Sequence, residues 1–463
     1  MGRSAGLFFA TDSQNTLDWR IRPSDDQYDQ QMERWNDLAG HLIEDLSERS
    51  GYPMRSWLQG SYKFGTQVRP SKTGQEFDID LGLYFVWPGT AADGNHGPKA
   101  LKDMVRDSLL AYAAEEDNEA GDVADAKALC ERLHFKPDFH IDVPCYHLAA
   151  NADERWLASD DDHWKESDPK AIYRWWTKTF ETMDLPRLRR VVRYLKMWTA
   201  LKFEDAERPS SILLTVITGE AWAGLDRNSL SGDDEHFKAV VMAVCDRFED
   251  GSSVPNPVAT GENLNRLSAQ QNDVMRERFA DLLAIAERAI AAPAKGEAGE
   301  IWGEAFEHFF PLPDTEEGEA AVAQGTALIP IRFDPQIAVE ARPKKQAGRV
   351  LRGENGIGPI PKGCTIKFVL VNASSLPPGA EVTWTVRNQG QDAEDINDLG
   401  HRWSHRTEVE ENSAYRGTQY MDVSVRLAGN LIGRRRVPVK ISGFALPMRN
   451  PPRPGWVKLR GRR

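Results

Sequence analysis

The run that most constrains the fold is FDIDLGLYF, at positions 77–85. Its apolar and aromatic residues predict a β-strand. Because side chains alternate across a strand, Asp78 and Asp80 share one face, while Phe77 and Ile79 share the other, which we expect to be buried. Two carboxylates therefore stand side by side on the polar face of a buried strand.

Two carboxylates this close repel each other, and a cation bound between them removes the repulsion. Mg²⁺ and Mn²⁺ prefer oxygen ligands, so either ion suits the pair. A D-x-D pair at a strand edge is also common as solvated surface, and taken alone the pattern favours that interpretation. The upstream pair Gly60-Ser61 favours the metal site, because it opens a predicted turn or helix start where N–H groups and a hydroxyl can bind phosphate oxygens.

A Gly-Ser pair followed by a D-x-D strand resembles the signature of the DNA polymerase β-like nucleotidyltransferases, although the 16 residues between Ser61 and Asp78 make a longer spacer than usual. In that family a third metal carboxylate comes from a neighbouring strand. The run FHIDV at 139–143 predicts such a strand, with Asp142 on its polar face. The resemblance implies that Asp78, Asp80 and Asp142 are the catalytic carboxylates and hold two Mg²⁺ or Mn²⁺ ions.

Apolar residues at helical spacing predict helices on both sides of this element. The predicted helices cover residues 27–50, 99–115, Ala124 to just before Pro137, and the helical stretch 154–205. Within the last stretch, Ser167 or Asp168 is expected to cap a helix that begins at Pro169.

One predicted helix carries a basic face. Arg189, Arg193 and Lys196 fall on one side of it, away from a stripe of core residues. Such a face is most often solvated, and the two arginines can equally pair with acidic residues. Because the pair Ser210-Ser211 follows closely, the second interpretation is a site for the triphosphate of a nucleotide.

Across residues 28–312 the motifs QGSYKFGT, EFDID, HIDVP, YLKMW, PSSILLT, VPNPV and ENL follow one another. This succession resembles the bacterial cGAS/DncV-like nucleotidyltransferases (CD-NTases), the second-messenger synthases of CBASS antiphage operons. The resemblance implies an α+β fold, with a polymerase β-like nucleotidyltransferase core and a helical lobe. It also implies that ATP and GTP are joined into a cyclic di- or trinucleotide that activates a downstream effector protein. The nucleotide-binding residues that it implies are Gln59, Gly60, Ser61, Phe64, Lys196, Ser210 and Ser211.

The C-terminal part changes to short β runs separated by Gly, Pro and Asn turns, which predicts a small all-β, sandwich-like domain. Its motifs WTVRNQG, EVEE and YRG resemble the AGS-C sensor domain found fused to such synthases. The resemblance implies a nucleotide or RNA ligand, with Arg387 and Arg416 as candidate contacts, although arginines in strands and turns are more often structural. The predicted domains are a nucleotidyltransferase core at 1–160, a helical lobe at 161–312, a linker at 313–335 and the β domain at 336–463.

Composition sets the remaining expectations. The four cysteines lie apart without a C-x-x-C pair, so we expect neither a disulfide framework nor a zinc module. His140, Cys145 and His147 are better explained as buried strand residues than as metal ligands. No apolar run is long enough to cross a bilayer, and we expect a cytoplasmic protein without a membrane partner.

The formal net charge is −12, yet Lys and Arg predominate from Arg342 onward. An acidic body therefore precedes a basic C-terminal part, which argues against a large duplex-binding surface around the carboxylates.

Two other functions remain open from the residues. The same carboxylates are compatible with synthesis of linear oligoadenylate or with transfer of AMP to another acceptor. Alternatively, the nucleotidyltransferase half is catalytically silent and the protein only senses or binds a nucleotide. The intact set Asp78, Asp80 and Asp142 argues against the silent form.

Overall fold

The computed structural model describes residues 2–72, 74–115, 118–135, 139–150, 154–313, 333–344 and 350–442. Its contacts divide the chain into two units. The first comprises Met1–Leu328 with Asp395–Asp398, and the second comprises Ile329–Glu394 with Leu399–Arg463. Most of the predicted linker and all of the tail beyond residue 442 lie outside the described residues. The predicted boundary between residues 160 and 161 falls inside the first unit and stays a prediction.

A sheet of eight strands organises the first unit. Its strands are β1 (Met54–Gln59), β2 (Phe77–Trp87), β3 (Ala120–Val123), β4 (Glu131–Phe135), β5 (Phe139–Val143), β6 (Cys145–Ala149), β7 (Arg155–Ala158) and β8 (Trp164–Glu166). One edge of β2 pairs antiparallel with β1, and its other edge pairs in parallel first with β5 and then with β6. The strands β4 and β3 follow β5, while β7 and β8 follow β6. The D-x-D strand is therefore an inner strand, paired along both of its edges.

The alternation predicted for β2 is confirmed. Phe77 and Ile79 are buried in a core shared with the helices that cover this face of the sheet. Asp78 lies on the opposite face with its side chain 54% exposed, and Asp80 is half-buried beside it. Burial of one large aliphatic or aromatic side chain contributes about 2 kcal/mol, so a shift of β2 by one residue would lose several such contributions. The core thereby fixes which face carries the carboxylates.

The helices of the first unit include the predicted ones over 27–50 and 99–115, which correspond to α3 and α5. Its helices are α1 (Ala5–Phe8), α2 (Leu17–Ile21), α3 (Asp25–Ser50), α4 (Gly60–Phe64), α5 (Pro98–Ala113), α6 (Pro169–Thr179), α7 (Leu185–Lys202), α8 (Ser211–Gly224), α9 (Asp233–Glu249), α10 (Ala269–Ala291) and α11 (Lys295–Phe306). A small hairpin is formed by β9 (Pro255–Asn256) and β10 (Ala259–Asn263). None of the described helices is long and apolar enough to span a membrane.

Two of the helix predictions are wrong. The predicted helix from Ala124 to Pro137 contains β4, in which Glu131, Leu133 and Phe135 point inward at the spacing of a strand. Glu131 is buried in an ion pair with Lys102. Because this inward position is charged, the alternation of apolar residues that identifies a strand is incomplete in the sequence. The predicted helical stretch 154–205 instead begins with β7 and β8.

The helix start predicted at Pro169 is confirmed. The Ala171 N–H donates to the Asp168 carboxylate at 3.0 Å, and Pro169 occupies the first turn, where its missing N–H costs nothing.

The second unit is built mainly of strands, as predicted. They are β11 (Ile337–Pro343), β12 (Leu351–Glu354), β13 (Ile357–Pro361), β14 (Cys364–Leu370), β15 (Ala380–Arg387), β16 (Arg402–Ser404), β17 (Glu408–Asn412), β18 (Gly417–Leu427) and β19 (Asn430–Ser442), with one short helix, α12 (Gln391–Glu394). One sheet has the order β12-β11-β14-β17, and the other has the order β13-β19-β18-β15-β16. Both sheets contribute to one hydrophobic core, which makes the unit a sandwich.

The two arginines singled out in this unit differ in environment. Arg387 is buried, and its Nε donates to Asp422 Oδ2 at 2.6 Å. Arg436 also donates to Asp422, at 2.9 Å, so one aspartate is held between two guanidinium groups. Arg387 therefore has a structural role and is not on a ligand-binding surface. Arg416 is exposed and stays a predicted contact.

Candidate active site

The register of the sheet brings the three predicted aspartates together. Asp80 on β2 is flanked by Asp142 on β5 and by Gln59 on β1. Two residues earlier along β2, on the same face, Asp78 is flanked by His140. Oxygen or nitrogen atoms of Asp78, His140 and Asp142 lie within 4.8 Å of one another. Side chains far apart in sequence thus meet on one face of the sheet.

Gly60 lies directly against Asp80. A Cβ atom at this position would lie 1.9 Å from Asp80 Oδ2, and the Gly60 backbone has φ +56°, where glycine is favoured. The predicted phosphate-binding pair therefore begins at a residue whose lack of a side chain makes room for the carboxylate. Ser61 follows in the first turn of α4.

Asp80 is a carboxylate whose negative charge is disfavoured by its surroundings. Burial, followed by the charges of Asp78 and Asp142, raises the pKa of Asp80 to about 7. Lys196 is buried nearby, and burial lowers its pKa to about 7 against the opposing attraction of Asp80. Its Nζ donates to Thr66 Oγ1 at 3.0 Å. Burial costs both groups part of their charge, and a divalent cation would restore the ionised form of Asp80.

Asp142 has close basic partners. Arg132 Nε donates to Oδ1 at 2.5 Å and Nη2 to Oδ2 at 2.9 Å, and Lys127 Nζ lies 3.3 Å from Oδ2. Burial alone would raise the pKa of Asp142, but the hydrogen bonds and charge of Arg132, with help from Lys127, lower it. Asp142 is therefore held as a carboxylate.

Asp78 contacts an imidazole. His140 Nε2 lies 2.9 Å from Asp78 Oδ1, and Nδ1 of the same ring lies 2.9 Å from Glu76 Oε2. The ring thus connects two carboxylates on the polar face of the sheet. His140 is buried, as predicted for a strand residue, but it belongs to the carboxylate cluster.

The donor set fits the predicted ions. Asp78, Asp80 and Asp142 together offer carboxylate oxygens, which are the ligands that Mg²⁺ and Mn²⁺ prefer. Burial and the charges of Asp78 and Asp142 raise the pKa of Asp80, and a divalent ion among these carboxylates would oppose that shift. These residues are therefore suited to hold a divalent ion.

The remaining predicted residues are placed as follows. Gln59 is buried, its Nε2 donates to the Tyr84 hydroxyl and its Oε1 accepts from Tyr146, each at 3.1 Å. Phe64 is buried too, with its ring 5.4 Å from that of Tyr173. Both side chains thus have packing roles, and their contact with a nucleotide stays a prediction.

Ser210 and Ser211 are exposed at the start of α8, and the Leu213 N–H donates to Ser210 Oγ at 3.3 Å. Among the described residues, no hydrogen bond links either serine to the carboxylate cluster. Their predicted contact with a triphosphate therefore has no structural observation for or against it.

The three basic residues predicted on one face of α7 have different surroundings. Lys196 donates to Thr66 and interacts electrostatically with Asp80 and Asp78. Arg193 instead pairs with Asp18 at 2.6 Å and donates to the Gly65 carbonyl at 2.7 Å. Arg193 is thus an ion-pair partner, which is the alternative weighed for it. Arg189 packs against Gly65 and lines a cavity of about 750 Å³ together with Arg22.

Sequence reasoning missed Arg132, Lys127 and Glu76. Arg132 pairs in register with Asp142, but the wrong helix prediction concealed that β4 is a strand. The position of His140 beside the carboxylates could have been predicted from the alternation of side chains along the strand, because His140 lies two residues before Asp142 and shares its face.

Two family models match the chain. One, for the nucleotidyltransferase domain of cyclic GMP-AMP synthase, DncV-like, matches residues 54–146. The other, for the adenylyl/guanylyl and SMODS C-terminal sensor domain, AGS_C, matches residues 319–442. The first covers the carboxylate strands, and the second covers the β sandwich.

One relative extends this similarity over nearly the whole chain, and another over about half of it. A cyclic GMP-AMP synthase of Escherichia albertii is 27% identical over 439 residues, which cover 94% of this chain and 95% of that protein. A c-di-GMP synthase of Roseivirga ehrenbergii is 24% identical over 258 residues, covering 49% of this chain and 64% of that protein.

Solved structures show the same fold. The Vibrio cholerae dinucleotide cyclase DncV, in complex with GTP and 5MTHFGLU2, superposes with a TM-score of 0.58 at 21% identity, covering 67% of this chain and 97% of that chain. An Escherichia coli DncV bound to 3′-deoxy GTP gives a TM-score of 0.51 at 20% identity, covering 64% and 95%. The predicted α+β nucleotidyltransferase fold is confirmed.

Proposed function

We propose that this chain, a homologue of the cGAS/DncV-type cyclic dinucleotide synthases with a DncV-like nucleotidyltransferase domain and an AGS-C domain, condenses ATP and GTP into a cyclic dinucleotide. The observation that carries the proposal is the convergence of Asp78, Asp80 and Asp142 on one face of the sheet, with Gly60 leaving space beside them. A silent nucleotide-binding protein would not need three acidic groups so close together, where burial and the charges of Asp78 and Asp142 raise the pKa of Asp80.

In this proposal the three aspartates hold Mg²⁺ or Mn²⁺. When bound, the ions would favour ionisation of the acceptor ribose hydroxyl and neutralise charge on the donor phosphates and the leaving pyrophosphate. Asp80 binds an ion only as a carboxylate, so it must release the proton that burial favours. Asp142 is already held as a carboxylate by Arg132.

Lys196 is the proposed contact to the donor triphosphate. Its ammonium group is buried beside Thr66, just after α4, and burial lowers its pKa. A polyphosphate would return positive charge to Lys196, because an adjacent anion favours the protonated amine. Ser61 would hold donor phosphate oxygens from the first turn of α4. A second round of transfer, after the linear intermediate turns in the site, closes the ring.

The test is to incubate the full-length protein with labelled ATP, GTP, CTP and UTP and Mg²⁺, and to separate the products by chromatography. We expect a cyclic product labelled from ATP and GTP, resistant to phosphatase because it has no terminal phosphate. The Asp78→Asn, Asp80→Asn double variant should form none while keeping its circular dichroism spectrum, since it loses ligand charge and no core volume. Only linear products, or equal turnover by the double variant, would contradict the proposal.

The product would serve as a second messenger for antiphage defence, acting through a downstream effector protein, as the CBASS resemblance implies. Support for this role comes from the homology alone. Cells that carry the gene with its native neighbours should survive phage challenge better than cells with the double variant. Equal survival would argue against the defence role and leave the enzymatic proposal standing.

A further inference from the structure

Two histidines and a glutamate form a second cluster beside the carboxylates. Glu76 lies immediately before β2, His134 lies on β4, and His140 lies on β5, opposite both His134 and Asp78 in the sheet register. Glu76 Oε2 is 2.8 Å from His134 Nδ1 and 2.9 Å from His140 Nδ1. One potential ligand atom from each of Glu76, His134 and His140 lies within 4.8 Å of the other two.

We infer that Glu76, His134 and His140 form a second cation site, which takes a divalent transition metal of the Zn²⁺ class. Two imidazole nitrogens with one carboxylate are a ligand set typical of zinc and other first-row transition metals. The aspartate centre offers only carboxylates in the proposed ligand set and suits Mg²⁺ or Mn²⁺. The two adjacent sites are therefore selective for different ions.

The distances allow an ion with small side-chain movements. Zn²⁺ bonds of about 2.1 Å in a tetrahedral site place ligand atoms about 3.4 Å apart. The two nitrogen–oxygen pairs now lie at 2.8 and 2.9 Å, so each must open by about half an ångström. The side chains of Glu76 and His134 are 29% and 34% exposed, which leaves room for that movement and for water as a further ligand.

A second observation supports metal binding at His140. A histidine that ligates a metal through one nitrogen usually donates its other N–H to a carboxylate, which fixes the tautomer and the ring orientation. His140 meets this condition, since Nδ1 faces Glu76 and Nε2 lies 2.9 Å from Asp78 Oδ1. Asp78 would thus orient the ligand of one site while it ligates the ion of the other. Occupancy of the His–Glu site would in turn fix the position of Asp78.

Visible absorption of Co²⁺ tests the site without nucleotide, so its outcome is independent of the proposed activity. Co²⁺ is titrated into the chelator-treated full-length protein, and Zn²⁺ is then added as a competitor. We expect d–d bands of a nitrogen-ligated ion that saturate at one equivalent and that Zn²⁺ abolishes. The His134→Ala and Glu76→Gln variants should each weaken Co²⁺ binding at least tenfold.

Two control variants locate the ion. His163→Ala removes an exposed histidine elsewhere on the first unit and should leave the titration unchanged. Asp80→Asn removes a carboxylate of the aspartate centre and should also keep the bands. Circular dichroism checks that each variant is folded, and a misfolded His134→Ala is replaced by His134→Gln. Unchanged binding in folded His134 and Glu76 variants, or bands lost only in Asp80→Asn, would overturn the inference and leave the cluster a network of ion pairs.

Discussion

Replacing Asp80 with asparagine should stabilise the chelator-treated protein above pH 7. The folded-state pKa of Asp80 is raised from 3.8 to about 7, first by burial and then by Asp78 and Asp142. Between these two values the folded protein binds a proton that the unfolded chain has lost, so the free energy of unfolding falls as pH rises. Above pH 7 the wild type has lost all of this contribution to the free energy of unfolding. The Asp80→Asn variant avoids the loss, because asparagine does not titrate.

The expected gain in the free energy of unfolding follows from the pKa shift of Asp80. About three pKa units correspond to about 4 kcal/mol at 1.36 kcal/mol per unit. The attraction of buried Lys196 lowers the pKa of Asp80 and is already contained in that shift, so the expected stabilisation by asparagine stays at about 4 kcal/mol. The difference between the two proteins should grow from near pH 4 to near pH 7.

Urea unfolding of both proteins in EDTA, at several pH values, measures this difference. Asp78→Asn is the comparison variant: it removes one of the charges that raise the pKa of Asp80, so it should stabilise the protein in the same direction but by less than Asp80→Asn. Adding Mg²⁺ should stabilise the wild type and have a much smaller effect on Asp80→Asn. An Asp80→Asn protein less stable than the wild type in EDTA near pH 8 would refute the argument that Asp80 carries uncompensated charge.

Three further variants test other parts of the site and of the chain. Lys196→Ala should raise the KM for the nucleotide donor about tenfold or more, since a buried charge-assisted contact is lost, and Arg193→Ala, which breaks an ion pair with Asp18, should affect stability more than KM. Gly60→Ala should abolish turnover because its Cβ would collide with Asp80, whereas Gly51→Ala, at φ +73° with nothing within 4 Å, should cost only about 1 kcal/mol of stability. If the β domain is a sensor, a truncation after Pro313 should stay soluble and bind ATP, yet lose its response to an added nucleotide or RNA. Aggregation of the truncated protein would indicate that the β domain instead supports the first unit structurally. A soluble truncation with unchanged regulation would contradict both roles of the β domain.

The strand that carries Asp78 and Asp80 was predictable because its period-2 pattern matches a sheet with one buried face, and the structure has that face buried. Asp142 was found by the same reasoning applied to a second strand. The β sandwich was predictable too, since its strands alternate and are separated by turn residues.

The partners of the aspartates were less accessible to sequence reasoning. Arg132 lies on a strand whose inward positions include a charged residue, Glu131, so its apolar period is weak. Glu76 reaches His134 and His140 only through the register of three strands, which no local pattern specifies. The register of non-local strands is set by the packed core, so these contacts emerge only in the folded structure.

The central claim is that Asp78, Asp80 and Asp142 form a metal-dependent centre that makes a cyclic product. Pyrophosphate release, followed together with product formation in ATP, GTP and Mg²⁺, tests it most directly. We expect one pyrophosphate for every nucleotide incorporated, with no triphosphate left on the product, and no release in EDTA or by the Asp78→Asn, Asp80→Asn variant. Release that persists in the double variant, or the absence of any release from the wild type, would contradict it.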